Sequence, residues 1–161
     1  LMSLIQLPTF KMRPDEQIVP LQFNHLLNID LGPHEKEYAK HIPGYLDYVY
    51  ENSENGWSWA AIGRGKVICV FGVRDVWSGV VEAWFIPGEG LESHARSTLV
   101  GARALLGEVM ATSGIRRMQI FVKSNHMVAL RFAKALYFDV ECELRKFGPE
   151  GADYYCMARF E

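Results

Sequence analysis

Glu82 lies in the run Val80-Val81-Glu82-Ala83-Trp84-Phe85-Ile86, and strand-like alternation puts its carboxylate on one face with Trp84 and Ile86. Such a neighbourhood favours the protonated acid and suits proton transfer. An exposed carboxylate with an ion-pair partner fits the same spacing. Cys69, Cys142 and Cys156 are odd in number, far apart and each inside an apolar run. They form neither a disulfide framework nor a metal-ligand spacing, and are read as reduced, buried thiols. As a nucleophile, Cys69 would need a histidine or cation nearby to lower its pKa, and the sequence places none beside it. His25, His34, His41 and His126 show no metal-site spacing and are read as surface or partly buried side chains. His94 falls at a predicted helix start. There it contacts a phosphate or faces solvent, and solvent is the simpler expectation.

The elements that must position these groups follow from periodicity. Residues 3–7 read as a first strand ended by Pro8. Pro14-Asp15-Glu16 reads as a helix start, because proline suits the first turn and acidic residues favour the positive end of the helix dipole. Pro20 interrupts that helix. A second helical stretch, residues 34–51, breaks near Pro43-Gly44 and is aromatic along its length through Tyr38, Tyr45, Tyr48 and Tyr50. Residues 57–62, 67–73 and 80–86 form three strands of an antiparallel meander, turned at Arg64-Gly65-Lys66 and Ser78-Gly79. Ala95, Leu99, Ala102, Leu106 and Val109 repeat at helical spacing, and Gly114 is placed to end that helix. Residues 118–123 are a buried strand, after which a helix starts near Asn125 or His126. Alternation over residues 138–144 predicts a half-buried strand. Gly148-Pro149-Glu150-Gly151 turns the chain back into a last strand from Tyr154.

A chain of 161 residues, 49% hydrophobic and 12% aromatic, fits one domain with its own core, residues 1–161. Its net charge of −2 gives no electrostatic reason to expect nucleic acid, and basic pairs such as Arg116-Arg117 read as solvated strand edges. The longest clean apolar run, residues 67–73, is far short of the roughly 20 residues of a membrane span. No basic-then-apolar leader opens the sequence, Leu1 precedes a Met2 at which translation would begin, and the expected location is the cytoplasm.

The carboxy-terminal order of strand, helix, strand, hairpin and strand resembles the GNAT superfamily of N-acetyltransferases. There a strand leads to an asparagine and then to A-x-x-F-Y-x-x-x-G-F and a closing hairpin. The matching residues are Asn125, Ala129, Phe132, Leu136 and Phe138, with the hairpin ending in Asp153-Tyr154-Tyr155-Cys156-Met157-Ala158-Arg159. The resemblance implies an α/β (α+β) fold, a mostly antiparallel twisted sheet of six to seven strands flanked by about four helices. It also implies acetyl-CoA as co-substrate, and a small-molecule or peptide amine as acceptor. No nucleic acid or membrane partner is expected, and a second copy of the chain is an expected partner.

In the family, the loop Q/R-x-x-G-x-G/A offers backbone amides at a helix start to the pyrophosphate. Counting from Pro87 puts Gly90 at the Q/R position, Ser93 at the glycine and Ala95 at the last small residue, with His94 and Arg96 beside them. Glu89 and Glu92 bring negative charge close to where phosphates would sit, and Arg96 offsets it. Backbone groups of Trp84, Phe85 and Ile86 would hold the pantetheine arm, and the helical tyrosines would line the acceptor side. Glu82 occupies the place of the family's glutamate base. The family's tyrosine acid corresponds to Ala133, which leaves Tyr137, one helical turn on, as its substitute. These departures, with Trp84-Phe85-Ile86, resemble divergent GNAT-like proteins of bacteriophages, including virion-associated ones, so a virion is the second expected location. The resemblance implies either an acyl-CoA-dependent N-acyltransferase or a binding or structural protein that keeps the fold without the chemistry.

Overall fold

The computed structural model describes residues 11–112 and 114–160. Seven strands form one sheet in the order β1-β2-β3-β4-β5-β7-β6. They are β1 (Glu16–Pro20), β2 (Gly56–Gly63), β3 (Lys66–Trp77), β4 (Val80–Pro87), β5 (Arg117–Lys123), β6 (Asp139–Leu144) and β7 (Tyr154–Phe160). All neighbours are antiparallel except β4 and β5. Among the described residues five α-helices accompany them: α1 (Phe23–Asn28), α2 (Pro33–Ala39), α3 (Tyr45–Ser53), α4 (Leu91–Thr112) and α5 (Met127–Ala135). None of these helices is long and apolar enough to cross a membrane. The predicted strand at residues 3–7 lies outside the described residues.

Strand alternation sends side chains to two layers. One core joins Val81, Ala83, Met118, Ile120 and Val122 of the sheet to Ala102, Leu105, Leu106 and Val109 of α4 and Leu130 and Ala133 of α5. The other joins Ala60, Val70 and Ile86 to Leu26 and Ile29 at α1 and Val49 of α3. Ile86 therefore leaves the α4 side, and Trp84 packs with it. Glu82 follows the same alternation.

Two local expectations are corrected. The stretch after Pro14 is strand β1, because β-branched Ile18 and Val19 pair with Ala61 and Ala60 of β2. Pro20, which has no N–H to donate, is tolerated at the end of this edge strand. β6 alternates in sequence, yet Asp139 to Glu143 are all exposed. It is the opposite edge of the sheet, where Asp139, Glu141 and Glu143 oppose strand addition.

Candidate active site

β4 and β5 pair only where residues 80–82 meet residues 117–119. Past that point β4 continues to pair with β3, and β5 with β7, so each strand keeps one satisfied edge while the facing edges diverge. A cavity of about 540 Å³ opens in the resulting V, bounded by residues 82–87 on one side and 120–123 on the other. Helix α5 contributes Ala129, Phe132 and Ala133 to its walls, and the β6–β7 connection contributes Phe147, Glu150 and Ala152. Trp84, Phe85 and Ile86 all line it, and Phe85 packs on Phe132 with ring centroids 4.5 Å apart.

Glu82 lines the cavity, but as an ion pair. Its Oε2 accepts from Arg74 Nη2 at 3.0 Å, and Arg74 Nη1 donates to Asn52 Oδ1 at 2.9 Å. Arg74 and Glu82 are opposed on adjacent strands, so the pairing follows from register. The ion-pair partner of the second sequence reading is present, while the carboxylate is mostly buried and lines the cavity rather than lying exposed.

On the β5 side, His126 Nε2 lies 3.1 Å from Glu35 Oε1, and the His126 ring stacks on His34 with centroids 4.1 Å apart. Both members of the His126–Glu35 pair are largely buried and face the cavity. The sequence hid this pair because 91 residues separate its members. Tyr38, Tyr45 and Tyr48 line the same end, whereas Tyr50 packs edge-on against Phe23. Burial raises the phenol pKa of Tyr38, Tyr45 and Tyr154, which keeps these hydroxyls as proton donors at neutral pH. At the rim, ligand atoms of Glu37, His41 and Glu150 lie within 4.8 Å of one another, a geometry that could hold a cation. Here the group is satisfied internally and by Lys40, 2.9 Å from Glu37.

The start of α4 departs from expectation. Gly90, Ser93 and Arg96 are exposed and Ala95 half-buried, and none of the four lines the cavity. The amides of Gly88 and Glu89 are already used, donating to Ile68 O at 2.9 Å and Asp30 O at 2.7 Å. Gly90 has φ +112, a conformation that suits glycine. His94 neither faces solvent nor points at a ligand. Its Nδ1 is 2.8 Å from Glu16 Oε2, the ring is buried, and a Cβ on Gly63 would collide with it. Ser97 Oγ donates to Glu16 as well, at 3.0 Å. This cluster ties α4 to the β1 edge. Asn125 is exposed, and His126 rather than Asn125 precedes the first turn of α5.

Tyr137 is also corrected. It is absent from the cavity lining, is largely exposed and has φ +71. Tyr137 N donates to Lys134 O and Phe138 N to Ala133 O, the paired bonds of a Schellman ending, and the residue after such a helix must be left-handed. The turn that usually takes glycine aims this side chain away from the V, between Arg103 and Arg159, whose guanidinium carbons lie 4.9 and 5.6 Å from the ring centre. Ala133 does line the cavity, so the family's acid position carries no acid. Cys142 is exposed rather than buried, whereas Cys69 and Cys156 are buried.

No family model matches the sequence, and no curated protein matches it. Solved structures do match. A GNAT-family acetyltransferase from Bacillus anthracis superposes with a TM-score of 0.69 at 14% identity, over 94% of this chain and 98% of that one. A spermidine N-acetyltransferase chimera from Vibrio cholerae and hSSAT gives 0.68 at 12% identity, over 91% and 95%. The acetyltransferase yncA of Salmonella typhimurium, solved with its cofactor acetyl-CoA, gives 0.63 at 14% identity, over 91% and 94%. At these identities the likeness establishes architecture. The chain has the fold of the GNAT N-acetyltransferases.

Proposed function

We propose that the protein transfers an acyl group, acetyl first, from acyl-CoA to a primary amine. The observation that carries this reading is the V between β4 and β5: a cavity with unpaired strand edges, open to both layers and left clear by Tyr137. The pantetheine arm would hydrogen-bond along the free edge of Trp84, Phe85 and Ile86. The pyrophosphate would meet the first-turn amides of α4 up to Ser93, the N–H groups that have no partner within the helix. Arg96 offsets the charge of Glu89 and Glu92 there.

The amine would enter from the side of α2 and α3. Aromatic walls from Tyr38, Tyr45 and Tyr48 with carboxylates Glu35, Glu37 and Glu150 suit a cation, so polyamines, aminoglycosides and lysine side chains are the acceptor class. Attack needs the amine neutral. Glu82 is assigned as proton acceptor, through water, with Arg74 fixing its position; His126, oriented by Glu35, is the competing acceptor on the facing wall. Positioning and backbone donors stabilise the tetrahedral intermediate, and the thiolate leaves without a dedicated acid at Ala133. The second reading, a fold kept without chemistry, is favoured by one observation: the Gly88 and Glu89 amides are committed to the protein itself.

The test is incubation with acetyl-CoA and, in turn, spermidine, an aminoglycoside and a lysine-containing peptide, with products followed by mass spectrometry. Enzyme-dependent acetylation of one amine supports the proposal. Absence of product with all three, together with absence of acetyl-CoA binding, removes it.

A further inference from the structure

β6 carries a bulge beside β7, its one partner strand among the described residues. Val140 pairs with Met157 and Cys142 with Cys156, so Glu141 is the extra residue. The result is crowding of chemistry around one sulfur. Cys156 Sγ is 3.9 Å from Glu141 Oε2 and 4.0 Å from Arg117 Nη2, and Cys142 is the residue directly opposite it on β6. Arg117, expected as a solvated edge residue, instead grips Glu141 with both terminal nitrogens. Directly opposed residues of an antiparallel pair have Cα atoms about 4.5–5.5 Å apart, inside the span a disulfide bridges.

We propose that Cys142 and Cys156 form a reversible disulfide, closed by a low-molecular-weight disulfide such as oxidised glutathione. Cys142 is exposed on the free edge and attacks first as the thiolate; Cys156, directly opposed to it in the β6–β7 register, is held beside the resulting mixed disulfide for the second step. The Cys142 sulfur bonds to one glutathione sulfur and the other glutathione leaves as thiolate. Cys156 then attacks the Cys142 sulfur, forming the cystine and expelling the second glutathione. The two cysteine protons end on two molecules of glutathione, and the two electrons lost by the cysteines reduce the oxidant.

The closed bond spans the β6–β7 connection, whose Phe147, Glu150 and Ala152 wall the cavity. Oxidation therefore staples one wall of the cleft. Cys69 is fully buried, and burial raises its pKa, so it serves as an internal unreactive control.

The experiment treats the full chain with oxidised glutathione, alkylates the remaining thiols and maps peptides by mass spectrometry. The expected result is loss of two hydrogens, a peptide bridge between Cys142 and Cys156, and one alkylated thiol at Cys69. Cys142→Ser should abolish the bridge and leave Cys156 alkylatable on unfolding. Cys156→Ser should trap one glutathione on Cys142. Should Cys156→Ser fail to fold, Cys142→Ser at the exposed position decides. A wild-type protein that stops at a glutathione adduct on Cys142, or that keeps all three thiols, overturns the proposal.

Discussion

Arg74 and Glu82 face each other across the β3–β4 pairing, Nη2 to Oε2 3.0 Å, with Asn52 of α3 holding the other side of the guanidinium. The cleft carboxylate is thus fixed in place by two elements. Under the proposed function, Glu82→Gln lowers kcat for the best amine on the order of 100-fold, the usual weight of a positioned proton acceptor, with little change in acetyl-CoA affinity. Steady-state kinetics on both substrates checks this.

His126 provides the comparison. If Glu82 accepts the proton, His126→Gln costs activity less than about 10-fold, by disturbing the α2 contact through Glu35. The reverse order of the two variants reassigns the acceptor to the His126–Glu35 pair.

Tyr137 separates strain from chemistry. Tyr137→Gly and Tyr137→Ala both lose the ring between Arg103 and Arg159, but only glycine relieves the left-handed backbone at φ +71. The glycine variant should be more stable than the alanine variant by about 1 kcal/mol in denaturant unfolding. Both should keep wild-type turnover, since the side chain is outside the cavity lining.

Glu16 makes stability depend on acid. Burial alone would raise its pKa from the ordinary 4.5, but hydrogen bonds from His94 and Ser97 outweigh burial and hold it lower. A carboxyl depressed in the folded state stabilises above its unfolded value, and that contribution is lost as pH falls below about 4.5 through the folded value. Glu16→Gln should lower stability at pH 7 by roughly 2–4 kcal/mol, the scale for breaking a buried charged network. It should also flatten the acid limb of a melting-temperature series. An unchanged acid limb contradicts this assignment.

The architecture was legible because its signals are local. The meander from residue 56 to 87 alternates cleanly between short turns, and the helix before Gly114 and the closing hairpin each carry their own punctuation. What failed was decided by tertiary partners. Pro14-Asp15-Glu16 has the residues of a helix start, but Glu16 is committed to His94 and Ser97, 78 and 81 residues away. Tyr137 matched a spacing argument until helix-ending geometry turned it outward. The carboxylate at Glu82 was found, while Arg74 and the Glu35–His126 pair were not, because cross-strand register and a contact between helices leave no periodic trace.

The proposed acyl-CoA site is the V between β4 and β5. The most direct measurement is isothermal titration of the purified protein with acetyl-CoA, wild type beside Ser93→Trp, a change at an exposed position that leaves the core intact. Micromolar binding to the wild type and at least 10-fold weaker binding to the variant are expected. No heat and no thermal shift at millimolar acetyl-CoA would contradict that assignment and leave the fold serving a binding or structural role.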